Sequence, residues 1–304
     1  AEKLQRGTSG TPILVRQYAY KSHSANGQTV HALATQTEYP TEGGAGITTR
    51  FDTEYHDETT QPRQTTSTLP AVPTAQNGAG VEDARATVYD LSGRMTWSRD
   101  ERGVLGHRQY DDVTGALKRS IDDVDTTQPG LEPPAGWSTA SGFGLHRVTE
   151  YEVDTQGRTT QTLGPAHLVD GVSVRTAQWT VYDDAAREVR SAQGYVTVST
   201  GAATLVNPVS ITRSDDAGRT LETIVATRGS TVESAGRLSL SDSFPRSSYV
   251  RWSTNQYDAL GRLSTTRQYF NIPTSGEGAR DTHYAETFVG YDDRGRQQLA
   301  RAAD

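Results

Sequence analysis

The sequence predicts an all-β protein, an irregular array of β-hairpins that together form a curved sheet. A six-residue phrase, consisting of an aromatic or β-prone residue, Asp, two variable residues and Gly-Arg, recurs along the chain. The residues that follow the copies tend to alternate in polarity, which is typical of half-buried strands. Hydrophobic residues make up only 33% of the chain, and this favours a thin sheet over a ball with a thick apolar core.

The phrase occurs in five complete copies and three degenerate ones. The complete copies are Tyr89–Arg94, Val153–Arg158, Ser214–Arg219, Tyr257–Arg262 and Tyr291–Arg296. In the degenerate copies Ala replaces Gly (Tyr182–Arg187), the phrase is one residue longer (Tyr110–Gly115), or the final Arg is missing (Arg99–Val104). Such repetition indicates a repeat architecture. It also argues against an enzyme, because a residue type present in every repeat more often shapes a backbone than reacts.

Each phrase predicts a hairpin turn. Asp accepts hydrogen bonds from backbone N–H groups two residues on, Gly supplies the positive φ that closes the loop, and Arg opens the return strand beside the Asp. Because Ala resists a positive φ, Ala186 should mark a turn of different geometry. The residues predicted to build the repeats are Tyr89, Asp90, Gly93, Arg94, Tyr110, Asp111, Asp154, Gly157, Arg158, Tyr182, Asp183, Arg187, Asp215, Gly218, Arg219, Tyr257, Asp258, Gly261, Arg262, Tyr291, Asp292, Gly295 and Arg296.

The tyrosines of the phrase hold the same repeat position. They should therefore lie on one face of the sheet, and those of adjacent units should stack into a ladder with edge or offset contacts. We expect their Asp and Arg partners to hydrogen-bond within or between hairpins instead of facing a cleft. These tyrosines are Tyr89, Tyr110, Tyr182, Tyr257 and Tyr291.

Two regions are predicted: a degenerate N-terminal repeat region over residues 1–84, and a β-array over residues 85–304. Pro-, Gly- or Ser-rich inserts interrupt the array near 125–144, 228–248 and 271–281. Proline keeps such a segment out of a central strand. Loops this long are expected to be functional excursions or flexible. The steps of 43 residues from Asp111 to Asp154 and from Asp215 to Asp258 suggest a repeat that has eroded or been replaced by a loop.

The phrases, and above all the stretch Tyr89–Asp122, resemble the repeat unit of the YD-repeat or Rhs-repeat family. This family includes bacterial Rhs shell proteins, the C component of insecticidal toxin complexes, and teneurins. The resemblance covers roughly residues 85–304 and implies a β-strand spiral that forms part of a hollow shell. The self-cleaving core and variable toxin of the family's toxin shells are not recognisable before Asp304, and the chain begins AEKLQRGTSG. We therefore expect an internal segment of a longer protein.

The resemblance implies a non-enzymatic structural segment of a shell that encapsulates a cargo or forms a cell-surface scaffold. The implied partners are the remaining YD repeats of a longer parent chain and an encapsulated toxin, and the implied location is secreted or cell surface.

The alternative is an extracellular binding or adhesion module that recognises carbohydrate or a partner cell surface through loops and exposed aromatic residues. Trp137, in the Pro/Gly-rich insert, either faces a sugar ligand or packs internally. Trp97, Trp179 and Trp252 are expected to pack.

Composition excludes several classes of function. The net charge is -7, and most Arg residues lie near an Asp of the phrase, so nucleic acid is not an expected partner. No apolar stretch approaches the ~20 residues of a membrane span. The chain contains no Cys, which excludes disulfides, cysteine catalysis and thiolate metal sites.

No catalytic, cofactor-binding or metal-binding residue is predicted. The seven His lack the spacing of a zinc site, and no nucleophile elbow of the form G-x-S-x-G occurs. The acidic run of Asp122, Asp123 and Asp125 offers oxygen ligands that Ca²⁺ would accept, but it matches no EF-hand loop. A solvated hairpin end is the favoured interpretation of this run.

Overall fold

The computed structural model of the chain describes residues 1–5 and 8–302. In these parts of the chain the regular elements are β-strands and two 3-10 turns, Thr74–Gln76 and Arg246–Ser248, so the all-β prediction is confirmed. No helix within the described residues is long and apolar enough to cross a membrane. The chain divides into two compact units, one of residues 1–110 and 119–148 and the other of residues 111–118 and 149–304. The predicted regions 1–84 and 85–304 stay a prediction.

The first unit is an antiparallel meander in which each strand from β1 to β7 pairs with the next one along the chain. It also holds most of β9. Its strands are β1 (Glu2–Leu4), β2 (Ile13–Ala25), β3 (Gln28–Glu38), β4 (Ile47–Tyr55), β5 (Pro62–Thr68), β6 (Ala84–Tyr89), β7 (Met95–Arg99), β8 (Leu105–Tyr110) and β9 (Leu117–Asp122).

The second unit is also an antiparallel meander. Its consecutive strands pair in order, except that β15 pairs directly with β17 and the short β16 pairs with β14. Its strands are β10 (Arg147–Val153), β11 (Thr159–Val169), β12 (Val172–Asp183), β13 (Glu188–Thr197), β14 (Ala203–Ser214), β15 (Thr220–Ala226), β16 (Glu233–Ala235), β17 (Tyr249–Tyr257), β18 (Leu263–Tyr269), β19 (Tyr284–Tyr291) and β20 (Gln297–Ala302).

The meander places the repeat turns of the second unit at one end of its strands. Alternate connections of an antiparallel meander lie at the same end, so the turns after β10, β12, β14, β17 and β19 lie together. The long connections that follow β15 and β18 lie at the opposite end. Each 43-residue step between phrase aspartates contains two ladder strands and one long connection. A loop therefore accounts for the extra length.

The five complete phrases form hairpin turns, as predicted. In each turn the Asp N–H donates to the Arg carbonyl and the Gly N–H donates to the Asp carbonyl, at 2.8–3.0 Å. The glycines Gly93, Gly157, Gly218, Gly261 and Gly295 have φ between 75° and 79°, which a Cβ disfavours by roughly 1 kcal/mol. In the copy with Ala186, the positive φ of 50° lies at Arg187 instead. The altered geometry expected at Ala186 is confirmed.

The core of the second unit forms between one sheet face and its own inserts. Trp179, Leu205, Ile211 and Ile224 are fully buried on the strands. Leu238 and Phe244 of the connection near 228–248 pack into the same cluster, and Ile272 of the 271–281 segment packs against it. The long connections therefore supply a second layer of apolar side chains. These connections pack against the sheet, whereas their composition suggested functional or flexible loops.

The first unit has a smaller core with the same design. Ala86, Trp97, Leu105, Ile121 and Val124 cluster with Trp137 of the insert near 125–144. Among residues 1–5 and 8–85, by contrast, no residue is fully buried. The chain therefore needs few hydrophobic residues, because much of the sheet has no buried layer and apolar packing is confined to local clusters.

Substitution of a buried strand residue in the second unit tests this packing. Ile224→Ala should lower the free energy of unfolding by about 2–5 kcal/mol, because it removes methyl groups from a filled site. Leu221→Ala, in the same strand β15 but with a side chain exposed to 36%, is the matched control and should cost much less. Equilibrium urea unfolding measures both, and equal losses would contradict the assignment of this face to the core.

Candidate functional site

The repeated Asp organises its own turn through one carboxylate oxygen. In Asp215, Oδ1 accepts hydrogen bonds from the backbone N–H groups of Ala217 and Arg219, both at 2.9 Å. The other complete phrases repeat this pair of bonds at 2.8–3.0 Å, at Asp90, Asp154, Asp258 and Asp292. The spacing of Asp and Gly in the sequence therefore produces a turn whose backbone donors are satisfied locally.

The second carboxylate oxygen binds the Arg of the same phrase. Arg219 Nε donates to Asp215 Oδ2 at 2.6 Å. The same bond measures 2.7 or 2.8 Å in the other complete phrases, in which Arg94, Arg158, Arg262 and Arg296 are the donors. The Asp thus holds the guanidinium plane beside its own hairpin.

The fixed guanidinium covers the Tyr ring of the next repeat turn at the same end of the strands. Its central carbon lies 4.6 Å from the ring centroid for Arg94 and Tyr110, and 4.1 Å for Arg158 and Tyr182. The distances for the two later pairs are 4.8 and 4.4 Å, formed by Arg219 with Tyr257 and by Arg262 with Tyr291. These are cation–π contacts. We call each Asp, its Arg and the covered Tyr a junction.

In three junctions the hydroxyl of the covered Tyr also donates to a backbone carbonyl. Tyr257 Oη donates to the carbonyl of Thr220, at 2.9 Å, and Thr220 directly follows Arg219. Tyr110 and Tyr291 donate at 2.8 and 2.9 Å to the carbonyls of Met95 and Leu263, which likewise follow the junction Arg. The strand register explains this recurrence. Extension of the β15–β17 pairing, in which Glu222 faces Thr254, places Tyr257 opposite Arg219.

The predicted ladder of stacked tyrosines is wrong in its contacts. None of the ring–ring contacts among the described residues joins two of the phrase tyrosines. An arginine lies over the ring face of Tyr110, Tyr182, Tyr257 and Tyr291 instead, since each of these four is opposite the Arg of an earlier hairpin. Asp and Arg do hydrogen-bond within their hairpins, as expected. Tyr89 differs from the other tyrosines: its hydroxyl lies 3.4 Å from Thr65 Oγ1.

Two degenerate phrases contribute a covered Tyr, Tyr110 or Tyr182, to a junction, but their own turns are held differently. Arg187 lies opposite Ser214, whose N–H donates to the Arg187 carbonyl, and its guanidinium pairs with Asp216. In this turn Asp183 Oδ1 accepts from the Ala186 N–H at 3.0 Å. Asp111 holds its longer turn through Thr114, whose N–H and hydroxyl both donate to Oδ1 at 2.8 Å.

The Asp carboxylates of the five complete phrases have lowered pKa values. For Asp215 the chief cause is the hydrogen bond from the Arg219 guanidinium, and for Asp258 and Asp292 it is the N–H of the following Arg. For Asp90 and Asp154 burial alone would raise the pKa, but the hydrogen bonds of Arg94 and Arg158 outweigh burial. All five carboxylates are therefore ionised at neutral pH and already bound by donors of their own turn.

Trp137 lies in the core and not on an exposed surface. Its side chain is only 8% exposed and packs in the cluster of the first unit, with the Arg99 guanidinium 5.0 Å from its ring. Of the two alternatives for this residue, the ligand-facing one is wrong. Trp137 is the large apolar side chain through which the insert packs against the sheet. Trp97, Trp179 and Trp252 are buried, as expected.

The acidic run that begins at the end of β9 is engaged in bonds within the protein, and Asp122 pairs with Arg108. Asp123 accepts from the N–H groups of Gly144 and Leu145 at 2.7 and 3.0 Å. Hydrogen bonds from Gln128 and Thr127 lower the pKa of Asp125 to about 2. No cluster of three or more candidate metal ligands occurs in residues 1–5 and 8–302. These carboxylates hold the base of the insert.

A groove of about 350 Å³ in the second unit is lined by two carboxylates, Glu152 and Asp154, and by Trp179. Glu152 accepts from Gln161 at 2.7 Å and from Arg237 at 3.0 Å, and Asp154 belongs to a junction. Both carboxylates are already partnered by donors from the protein.

Two polar hubs were missed by sequence reasoning. Arg228 donates to the carbonyls of four successive residues, 234–237, at 2.6–3.2 Å, and so folds the connection after β15. Glu188 is buried between the guanidinium groups of Arg190 and Arg213. Neither residue belongs to the repeated phrase, and no local sequence pattern marks them.

No protein-family model and no curated protein matches the chain. Among solved structures it is similar to that of TcdB2-TccC3-Cdc42, at 14% identity and a TM-score of 0.45, over 97% of this chain and 15% of that one. It is also similar to the structure of TcdB2-TccC3-TEV, at 13% identity and a TM-score of 0.42, over 99% of this chain and 15% of that one. The chain thus spans about 15% of the length of these solved chains.

A double-mutant cycle tests the contact between neighbouring hairpins. Arg219→Gln and Tyr257→Leu should show a coupling energy of about 0.5–1 kcal/mol in the free energy of unfolding, because each substitution removes the same cation–π contact. Arg187→Gln combined with Tyr257→Leu is the control cycle and should be additive. The two cycles share Tyr257→Leu, so urea unfolding of five variants and the parent chain gives both values. Additivity at Arg219 would remove the junction as a source of stability.

Acid should destabilise the fold through the junction carboxylates. A pKa below the ordinary 3.8 in the folded chain means that the stabilisation is present above that value and is lost as the pH falls through the folded pKa. The free energy of unfolding should therefore drop as the pH falls below about 4. Asp215→Asn should reduce this dependence, whereas Asp216→Asn, at an exposed neighbour, should leave it nearly unchanged. Urea unfolding between pH 2.5 and 7 distinguishes the two outcomes.

Proposed function

We propose that the chain belongs to the YD-repeat family and is a non-enzymatic structural segment of a shell that serves as an encapsulating or cell-surface scaffold. One observation carries the proposal: the repeated Asp, Arg and Tyr side chains bind one another across successive hairpins. Because these side chains already bind one another and hold neighbouring strands together, we assign them a structural role.

Enzymatic function receives no support from the repeated residues. A general acid or base needs a proton to exchange near neutral pH, whereas the junction carboxylates are held ionised and saturated by donors. The junction arginines are fixed by their own aspartates, so they are poor candidates for binding a substrate anion. The repetition of one geometry four times also suits a wall better than a single catalytic centre.

The way the sheet builds its core supports the same proposal. The sheet of a shell has to remain folded although the chain contains few apolar residues. The inserts add a second layer of apolar side chains at the two clusters. Nearest-neighbour contacts let such an array extend by addition of repeats. We propose that the full array curves into a spiral, as the family resemblance implies.

The partners and location follow from the proposed family. The partners are the remaining YD repeats of a longer parent chain and an encapsulated toxin, and the protein is secreted or displayed at the cell surface. Trp137, the residue that the carbohydrate-binding alternative required to be exposed, is buried. A glycan partner therefore enters the experiment only as the competing outcome.

Protease protection tests the scaffold. The natural protein containing this chain should retain a cargo polypeptide that resists protease under native conditions. In a urea titration the cargo should become digestible at lower urea in the double variant Arg219→Gln/Tyr257→Leu than in the parent, since the wall loosens. Arg187→Gln is the matched control and should behave as the parent.

Two results would contradict the proposal. One is the absence of any protected polypeptide together with glycan-array binding by the chain, which would establish the adhesion alternative. The other is turnover of a substrate that is lost on replacement of a junction Asp at constant stability.

A further inference from the structure

We propose that weak acid releases the insert near 125–144 from the sheet of the first unit, and that protonation of His107 causes the release. The proposal goes beyond the scaffold function and does not depend on it, since it concerns how one unit of the chain responds to pH. It rests on the position of His107, on the hydrogen bond of its ring and on the charges around it.

His107 belongs to the sheet face that the insert covers. It faces Trp97 across the β7–β8 ladder, and the two ring centroids are 4.2 Å apart. Trp97 packs in one cluster with Trp137 of the insert, and the Arg99 guanidinium of β7 lies over the Trp137 ring. His107 is only 8% exposed. The imidazole is therefore enclosed by aromatic rings and strands.

Only the neutral imidazole suits this position. Nδ1 lies 3.0 Å from the carbonyl oxygen of Thr96, and because a carbonyl only accepts, Nδ1 carries the hydrogen. Within residues 1–5 and 8–302, the other nitrogen, Nε2, has no hydrogen-bond partner. Protonation of Nε2 would place an unpaired N–H and a full charge in a buried site, which is costly.

The charged groups that act on His107 also oppose its protonation. They are Arg119 of β9 and Arg108 of its own strand. Arg108 pairs with Asp122 at 3.3 Å, whereas Arg119 has no ion pair in the described part of the chain and its Nε is buried without a partner. The Trp97 ring attracts an imidazolium, but burial and the two guanidinium groups outweigh it.

These surroundings determine the direction of the pH effect. Burial and the two arginines lower the pKa of His107 below its ordinary value of 6.5. Once the insert has lifted, water reaches the imidazole, so the open form takes up a proton more readily than the closed form. The contribution of His107 to closure is therefore complete above pH 6.5 and is lost as the pH falls from 6.5 towards the folded pKa. This window lies above that of the phrase carboxylates, whose ordinary pKa is 3.8.

The release is local because the His107 side chain takes no part in the ladder bonds that join β7 and β8. Amide hydrogen exchange of the intact chain measures such local opening. Rates for residues 125–144, corrected for the intrinsic rate at each pH, give the opening constant. Between pH 6.5 and 4.5 it should rise about ten- to hundredfold, since the limit is tenfold per pH unit. The connection near 228–248 is the internal reference and should change little.

Two substitutions identify the titrating group. His107→Asn removes the titration and keeps a side-chain donor for the Thr96 carbonyl, so its opening constant should be nearly independent of pH over the same range. His31→Asn is the matched control, because it removes an exposed histidine of the same unit, and it should respond like the parent chain. His107→Phe provides a second neutral variant if His107→Asn leaves the insert open at pH 7.

Three results would overturn the proposal. One is an opening constant of the parent chain that does not rise between pH 6.5 and 4.5. Another is a rise that persists in both His107 variants, which would assign the response to a different imidazole, such as His146, whose Nδ1 accepts from the Asp125 N–H at 3.1 Å. The third is an equal rise in the connection near 228–248. Cargo protection at neutral pH tests the scaffold function separately, so each proposal can fail alone.

Discussion

Each complete hairpin places an arginine in a fixed position by bonding it to the turn Asp, and four of these arginines lie against the Tyr ring of a later strand. The Arg219 guanidinium, for example, is bonded to Asp215 and covers Tyr257, whose hydroxyl returns to the Thr220 carbonyl. A planar cation is suited to this role because it can donate to a carboxylate in its plane while its face meets an aromatic ring. Lysine could not satisfy both geometries at once.

This arrangement explains how a chain with few apolar residues remains folded. A single junction contributes little, since its Arg is partly exposed and solvent screens the charges. The same contact recurs from hairpin to hairpin, so that its effect accumulates along the sheet. Apolar packing is concentrated in two clusters, and each needs side chains from an insert, such as Trp137 in the first unit and Phe244 in the second.

The inserts and the turns therefore have different physical tasks. The turns hold neighbouring hairpins in register, and the long connections cover one sheet face. Within the second unit these tasks lie at opposite ends of the strands, because alternate connections of a meander alternate between the two ends. A change in a long connection therefore alters the apolar cover of the sheet, whereas the Asp-Arg-Tyr contacts form at the other end of the strands.

The sequence by itself determined the all-β fold, the positions of the hairpin turns and the positive φ of their glycines, because these depend on residues within a few positions of one another. It also indicated that Asp and Arg of one phrase would bond. The Arg–Tyr contact required the strand register, which pairs residues as distant as Arg219 and Tyr257. Burial of Trp137 and the Arg228 hub likewise depended on how the inserts fold onto the sheet. Composition marks such segments as loops, but only tertiary contacts decide which of their side chains become core.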